Sequence, residues 1–196
     1  KILSMYQDRF KDASDFTFIF VGNVDVEKMK PVIAEYLGAL PAVNRKETFK
    51  DNKIEMRQGI YKNEFTKQQE TPKASVFAFY NGDCKYDLRN NLLLSMTSQI
   101  LDLVYTEKVR EDEGGTYGVY VGGTLQKYPK EKAILQIIFD TAPEKKEKLM
   151  KIIFGEIDNI TKTGPSEANL NKVKEYMLKK HTEDLKENSY WLGSID

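Results

Sequence analysis

One histidine and one cysteine among 196 residues remove most of the chemistry open to a chain of this size. With His181 alone, neither HExxH nor HxxEH can be written, and a nucleophilic triad has no imidazole to spare. Cys84 alone excludes an internal disulfide and a thiolate zinc cluster. No apolar run approaches the roughly 18 residues that suggest a membrane-spanning helix, and the longest, such as residues 16–21, have strand length. Charge of one sign is lacking too. Thirty basic residues balance 30 acidic ones and are dispersed, which leaves no electrostatic footprint for nucleic acid or a membrane surface. These absences argue against a complete hydrolytic site within the chain.

What is present is enough apolar material for a core: 40% hydrophobic residues against 31% charged ones. The expectation is one domain over residues 1–196. The chain opens on the amphipathic run Ile2, Leu3, Met5, Tyr6 and Phe10, and it closes on Tyr190-Trp191-Leu192, large apolar groups that need partners. Both ends therefore read as cut from a longer protein.

Aromatic and β-branched residues at 16–21 predict a mostly buried strand, closed by Gly22-Asn23. Asp25 is placed to cap a helix with Val26, Met29, Val32 or Ile33, Tyr36 and Leu37 at helical spacing, ended by Gly38 and Pro41. Residues 42–55 are polar and read as a surface loop, leading to a weaker strand candidate at 54–61. Residues 74–80 are a clear strand with a turn at Asn81-Gly82-Asp83. Leu88, Leu92, Met96, Gln99 or Ile100, and Leu103 then predict a helical stripe running to Arg110.

Residues 116–125 and 132–141 read as an antiparallel hairpin. Pro143-Glu144 opens a helix that Gly164-Pro165 stops, and Ser166 with Glu167 caps a last long helix. Strands and helices are grouped rather than strictly alternating. The fold class is therefore α+β, a mainly antiparallel sheet with helices packed on one face.

Chemistry concentrates in Val109-Arg110-Glu111-Asp112-Glu113-Gly114-Gly115-Thr116-Tyr117-Gly118. If the helix stops at the glycines, Arg110 and Tyr117 return to one edge of the domain as two donors for an oxygen that gains negative charge. The alternative is that Arg110 answers the negative end of the helix dipole while Tyr117 packs on a strand. Residue types alone leave both open. Glu111, Asp112 and Glu113 lack calcium-loop spacing and read as a solvated turn. His181 sits on a charged helical stretch, and Cys84 has no neighbouring base, so neither receives a role. The glycines at 114, 115, 118, 122 and 123 flank a strand instead of opening a helix, which excludes a phosphate loop and fits close backbone approach.

Three segments carry a family likeness: Tyr6-Gln7-Asp8-Arg9-Phe10 with the strand-Gly22-Asn23-Val24-Asp25 run, Val109-Arg110-Glu111 through Thr116-Tyr117, and Gly164-Pro165-Ser166-Glu167 through Lys174. Together with Leu37-Gly38-Ala39-Leu40-Pro41 they span nearly the whole chain, which resembles a non-zinc domain of the insulinase/pitrilysin family of zinc metallopeptidases. The likeness is greatest to large bacterial members, in which several similar α+β domains form two halves around a chamber.

The resemblance implies that the parent is a zinc-dependent endopeptidase acting on peptides or unfolded proteins, in the periplasm or cell envelope. Zinc in that family is held by HxxEH and a distal glutamate. This chain has neither the motif nor any other cofactor site, so the metal is expected on another domain of the parent. What carries over is the pair Arg110 and Tyr117, as accessory contacts to the scissile carbonyl. Two other functions stay open: a structural or docking domain of a non-catalytic member, and a module that binds peptides along a sheet edge.

Overall fold

Residues 1–48, 50–111, 116 and 118–195 are described by a computed structural model, without the side chains of Arg110 and Glu111. They form two compact units, the first made of Lys1–Asn52 with Lys179–Asp196 and the second of Lys53–Leu178. Helix α5 (Glu167–Asp184) is continuous from one stretch of sequence into the other.

The second unit is built on three strands whose alternating residues separate a covered from an uncovered face. β1 (Ala74–Asp83), β2 (Val119–Gln126) and β3 (Lys132–Thr141) lie in the order β1-β3-β2, with both pairings antiparallel. Registration puts Val76 and Val119 on either side of Phe139, and Ala78 and Val121 on either side of Ile137. Ile137, Phe139 and Thr141 are buried on this face. The opposite face presents Phe77, Phe79 and Tyr120, each at least half exposed.

The covered face packs against α3 (Leu88–Tyr105) and α4 (Lys146–Thr163), with Val173 of α5 completing one apolar core. Asp87 caps α3 by accepting from the Asn90 N–H at 2.8 Å. Gly164 ends α4 with φ of 76°, a left-handed turn that a side chain would disfavour. Ser166 Oγ accepts from the Asn169 N–H at 3.2 Å, so the Ser-Glu signal does open α5. The expected hairpin, the α+β class and the coverage of one sheet face are all present.

The expected stripe on α3 holds at Met96 and Ile100, which join the core, and fails elsewhere. Leu88 is 84% exposed and Leu92 and Leu103 also face outward, whereas Ile100, Leu101, Val104 and Tyr105 are buried. This helix is apolar around much of its circumference, so spacing could not choose the inward face. The sheet makes the choice. A Cβ on Gly123 of β2 would lie 2.6 Å from both Leu94 Cγ and Ser98 Oγ, so this bare backbone lets α3 come close.

Segment 54–61 forms no strand either. Ile60 is 95% exposed, and the stretch is tied down by ion pairs, Glu55 to Lys130 and Lys132, rather than by apolar burial.

In the first unit, α1 (Ile2–Phe10), α2 (Val26–Tyr36) and α6 (Asn188–Ile195) accompany long irregular stretches. Asp25 caps α2 through the Lys28 N–H, and the Leu37 and Gly38 N–H groups both return to the Ile33 carbonyl. Residues 16–21, expected as a buried strand, pair with no other strand, and Phe16, Phe18 and Phe20 remain more than a third exposed. Strand propensity is a preference for a pleated, half-buried surface, and it supplies no neighbouring strand. The rings instead stack edgewise, Phe10 on Phe16 and Phe16 on Phe18.

The buried centre of this unit is a carboxylate. Asp12, 3% exposed, accepts from the N–H groups of Ser14, Val43 and Arg45 and from Ser14 Oγ, at 2.6 to 3.1 Å. These bonds, led by the Ser14 hydroxyl, hold its carboxyl down at about 2.

Two predictions follow from these contacts. Gly123→Ala should lower stability by roughly 1–3 kcal/mol in urea unfolding, the clash with α3 outweighing the improved strand propensity. Because the Asp12 carboxyl titrates lower folded than unfolded, the stability it supplies is present above its ordinary value of 3.8 and lost as pH falls towards about 2. Fluorescence of Trp191, the only tryptophan and a member of the same unit, should report that acid transition, and Asp12→Asn should flatten it.

Candidate functional site

The segment singled out by sequence begins where α3 changes pitch. After Tyr105 the helix widens into a π-type turn over Thr106–Glu111, so Arg110 lies on the backbone of that turn. Tyr117, Asp112, Glu113 and the two glycines at 114 and 115 lie outside the described residues, as do the side chains of Arg110 and Glu111. The structure thus defines the frame of the segment and not the donors themselves.

Both ends of that frame are anchored. On the helical side Val109 is fully buried, and Tyr105, also fully buried, donates its hydroxyl to the Ile153 carbonyl of α4 at 3.0 Å. Lys108 Nζ reaches Glu156 Oε1, on the same helix, at 2.6 Å. On the strand side Thr116 Oγ1 donates to the Asp140 carbonyl of β3 at 2.6 Å and accepts from the Gly118 N–H. The Asp140 side chain is in turn held by Ser75 Oγ and Lys73 Nζ, bonds that lower its carboxyl below the usual range.

Around the anchor on α4 the electrostatics favour neutral phenols. Burial, with the neighbouring Tyr80 and Glu156, pushes the Tyr105 phenol well above its ordinary value. Tyr80 is raised as well, by burial and then by the charge of Asp158. Both hydroxyls therefore stay protonated as donors through the physiological range.

Among the described residues no three His, Cys, Asp or Glu side chains come together as a metal-binding group. His181 is instead 3.4 Å from the Tyr190 hydroxyl, and Cys84 is a half-buried free thiol. The described residues do not fit a zinc site. Lys108, Glu156, Tyr105 and Thr116 are the supporting residues that sequence reasoning passed over. The two partners of the ion pair lie 48 positions apart, and no local spacing signals such a contact.

The described residues thus make a helix-backed antiparallel sheet in which no metal-binding group is gathered. A model of the peptidase M16 inactive domain matches residues 1–177, and the chain belongs to that family. This is the relationship that the three sequence segments pointed to. A zinc protease PQQL-like protein of Arabidopsis thaliana is 23% identical over 208 residues, covering 100% of this chain and 22% of the relative. The chain thus spans about a fifth of that protein's length.

Among solved structures, the periplasmic protease PqqL of Escherichia coli superposes with a TM-score of 0.69 at 20% identity, over 89% of this chain and 19% of that one. A peptidase M16 inactive domain from Pseudomonas fluorescens matches with a TM-score of 0.52 at 25% identity, over 63% of this chain and 30% of that one. The fold is shared, and the chain is a non-catalytic domain of a peptidase family.

Tyr105→Phe tests the anchor on α4. Removing the hydroxyl should cost about 1 kcal/mol in thermal unfolding, with strand content by circular dichroism unchanged.

Proposed function

We propose that this chain is the accessory, non-zinc domain of a zinc-dependent endopeptidase, forming wall of its substrate chamber and presenting Arg110 and Tyr117 to the scissile carbonyl. The observation that carries this reading is the conjunction of a family match through residues 1–177 with a segment tethered at both ends, by α4 and by β3. Guanidinium and phenol are donors throughout the neutral range, and donors aimed at developing negative charge lower a barrier more than they strengthen ground-state binding. Zinc belongs to another domain of the intact protein, and hydrolysis belongs to the assembly of domains. The partners are those other domains together with peptide or unfolded protein. A periplasmic or cell-envelope setting is consistent with the described location of the Escherichia coli structure.

A second reading, that the domain mainly docks proteins or peptides, draws on the uncovered sheet face with Phe77, Phe79 and Tyr120. Exposed aromatic clusters mark contact surfaces more often than chance placement does. The two readings separate in the full-length protein. Tyr117→Phe and Arg110→Gln should each reduce kcat on an unfolded peptide by roughly 10²-fold with little change in peptide affinity. Turnover equal to the parent in both variants would remove the donor role and leave docking.

A further inference from the structure

The widened turn at Thr106–Glu111 re-aims the chain that follows α3. A π-type turn closes each hydrogen-bonded ring with one residue more than an α-turn, so residues beyond it are rotated by roughly 100° relative to a continuous α-helix. Such turns are rare, occur mostly as single bulges, and concentrate at functional sites. This one ends at Glu111, which places Arg110 within the widened part.

An irregular turn needs outside support, and here α4 supplies it through two groups on neighbouring turns. The Ile153 carbonyl receives Tyr105, and the Glu156 carboxylate receives Lys108 at 2.6 Å. Ile153 and Glu156 are three apart and therefore share one side of α4. Tyr105 and Val109 are fully buried and are accounted for by the core. The ion pair is not. Lys108 is about half exposed and could reach water, yet it extends to a carboxylate whose side chain is only 16% exposed. It does so two positions before Arg110, where the helix has just lost its α-helical register.

We infer that Lys108 and Glu156 are positioning residues, an ion pair that locks the register of the widened turn and so fixes the backbone position of Arg110 and the departure of the segment leading to Tyr117. This rests on the reading that the segment meets substrate. Its structural half stands independently, because register is a property of the resting domain. The opposite end needs no such device, since Thr116 is already bonded to the Asp140 carbonyl of β3.

The test uses the intact protein. Lys108→Met and Glu156→Gln remove the ion pair while keeping side-chain length, and Lys108→Arg keeps it. Hydrogen exchange is followed by mass spectrometry in peptides covering 106–118 and, as internal controls, β1 and β3. In both pair-breaking variants, exchange in 106–118 should rise roughly tenfold with the controls unchanged, and Lys108→Arg should match the parent. Where the protein turns over an unfolded peptide, kcat should fall in those variants while KM holds, a split that general loss of stability would not produce.

Exchange in 106–118 equal to the parent in both pair-breaking variants overturns the inference, as does an equal rise in β1 and β3. Faster local exchange in the pair-breaking variants, alongside normal turnover in Tyr117→Phe and Arg110→Gln, supports the positioning role while sinking the donor reading. The reverse pattern sinks the positioning role alone.

Discussion

The missing side chain at Gly123 sets how close α3 can come to β2, and the rest of the second unit depends on that approach. With Leu94 and Ser98 seated over bare backbone, the helix turns Leu101, Val104 and Tyr105 into the core between sheet and α4. Tyr105 is then deep enough to reach the Ile153 carbonyl, and the chain just beyond it carries Lys108 to Glu156. Interiors are packed too densely for such a placement to shift by a methyl group without cost. A single close contact on the sheet thus propagates along one helix to the turn that bears Arg110.

The fold was legible where local chemistry and burial agree. Asp25 caps a helix, Gly164 stops another, Ser166 opens a third, and residues 74–80 and 132–141 lie in strands as their composition suggests. Residues 16–21 and 54–61 have strand composition and yet take no ladder partner, because pairing is supplied by distant chain and leaves no mark within the segment itself. On α3 the expected stripe is inward only at Met96 and Ile100, and the face that meets β2 carries Leu94 and Ser98 over Gly123. Of the candidate site, Arg110 and Tyr117 are singled out by residue type alone, as an arginine and a tyrosine on either side of two glycines in the sequence. Their supports could not be, because Lys108 with Glu156 and Thr116 with Asp140 are pairs made by tertiary contact.

The single histidine has a positive counterpart in the family relationship. A domain freed from holding a metal has no need of a convergent set of carboxylates and imidazoles, whose mutual repulsion and desolvation are expensive. Its sheet can be backed by an apolar core on one side, and its edges and turns are available for contacts with other molecules.

The two units also differ in what their interiors are made of. Every buried apolar residue described belongs to the second unit, whereas the first is centred on the Asp12 carboxylate and four donors. Heat capacity of unfolding tracks the apolar surface released, and exposure of polar groups works against it. The second unit should therefore have the strongly curved stability profile of an oil-filled domain, weakening at low temperature. The first should have a flatter one, nearly indifferent to cold and governed by proton concentration, so that one polypeptide contains two parts with different physical reasons for coming apart.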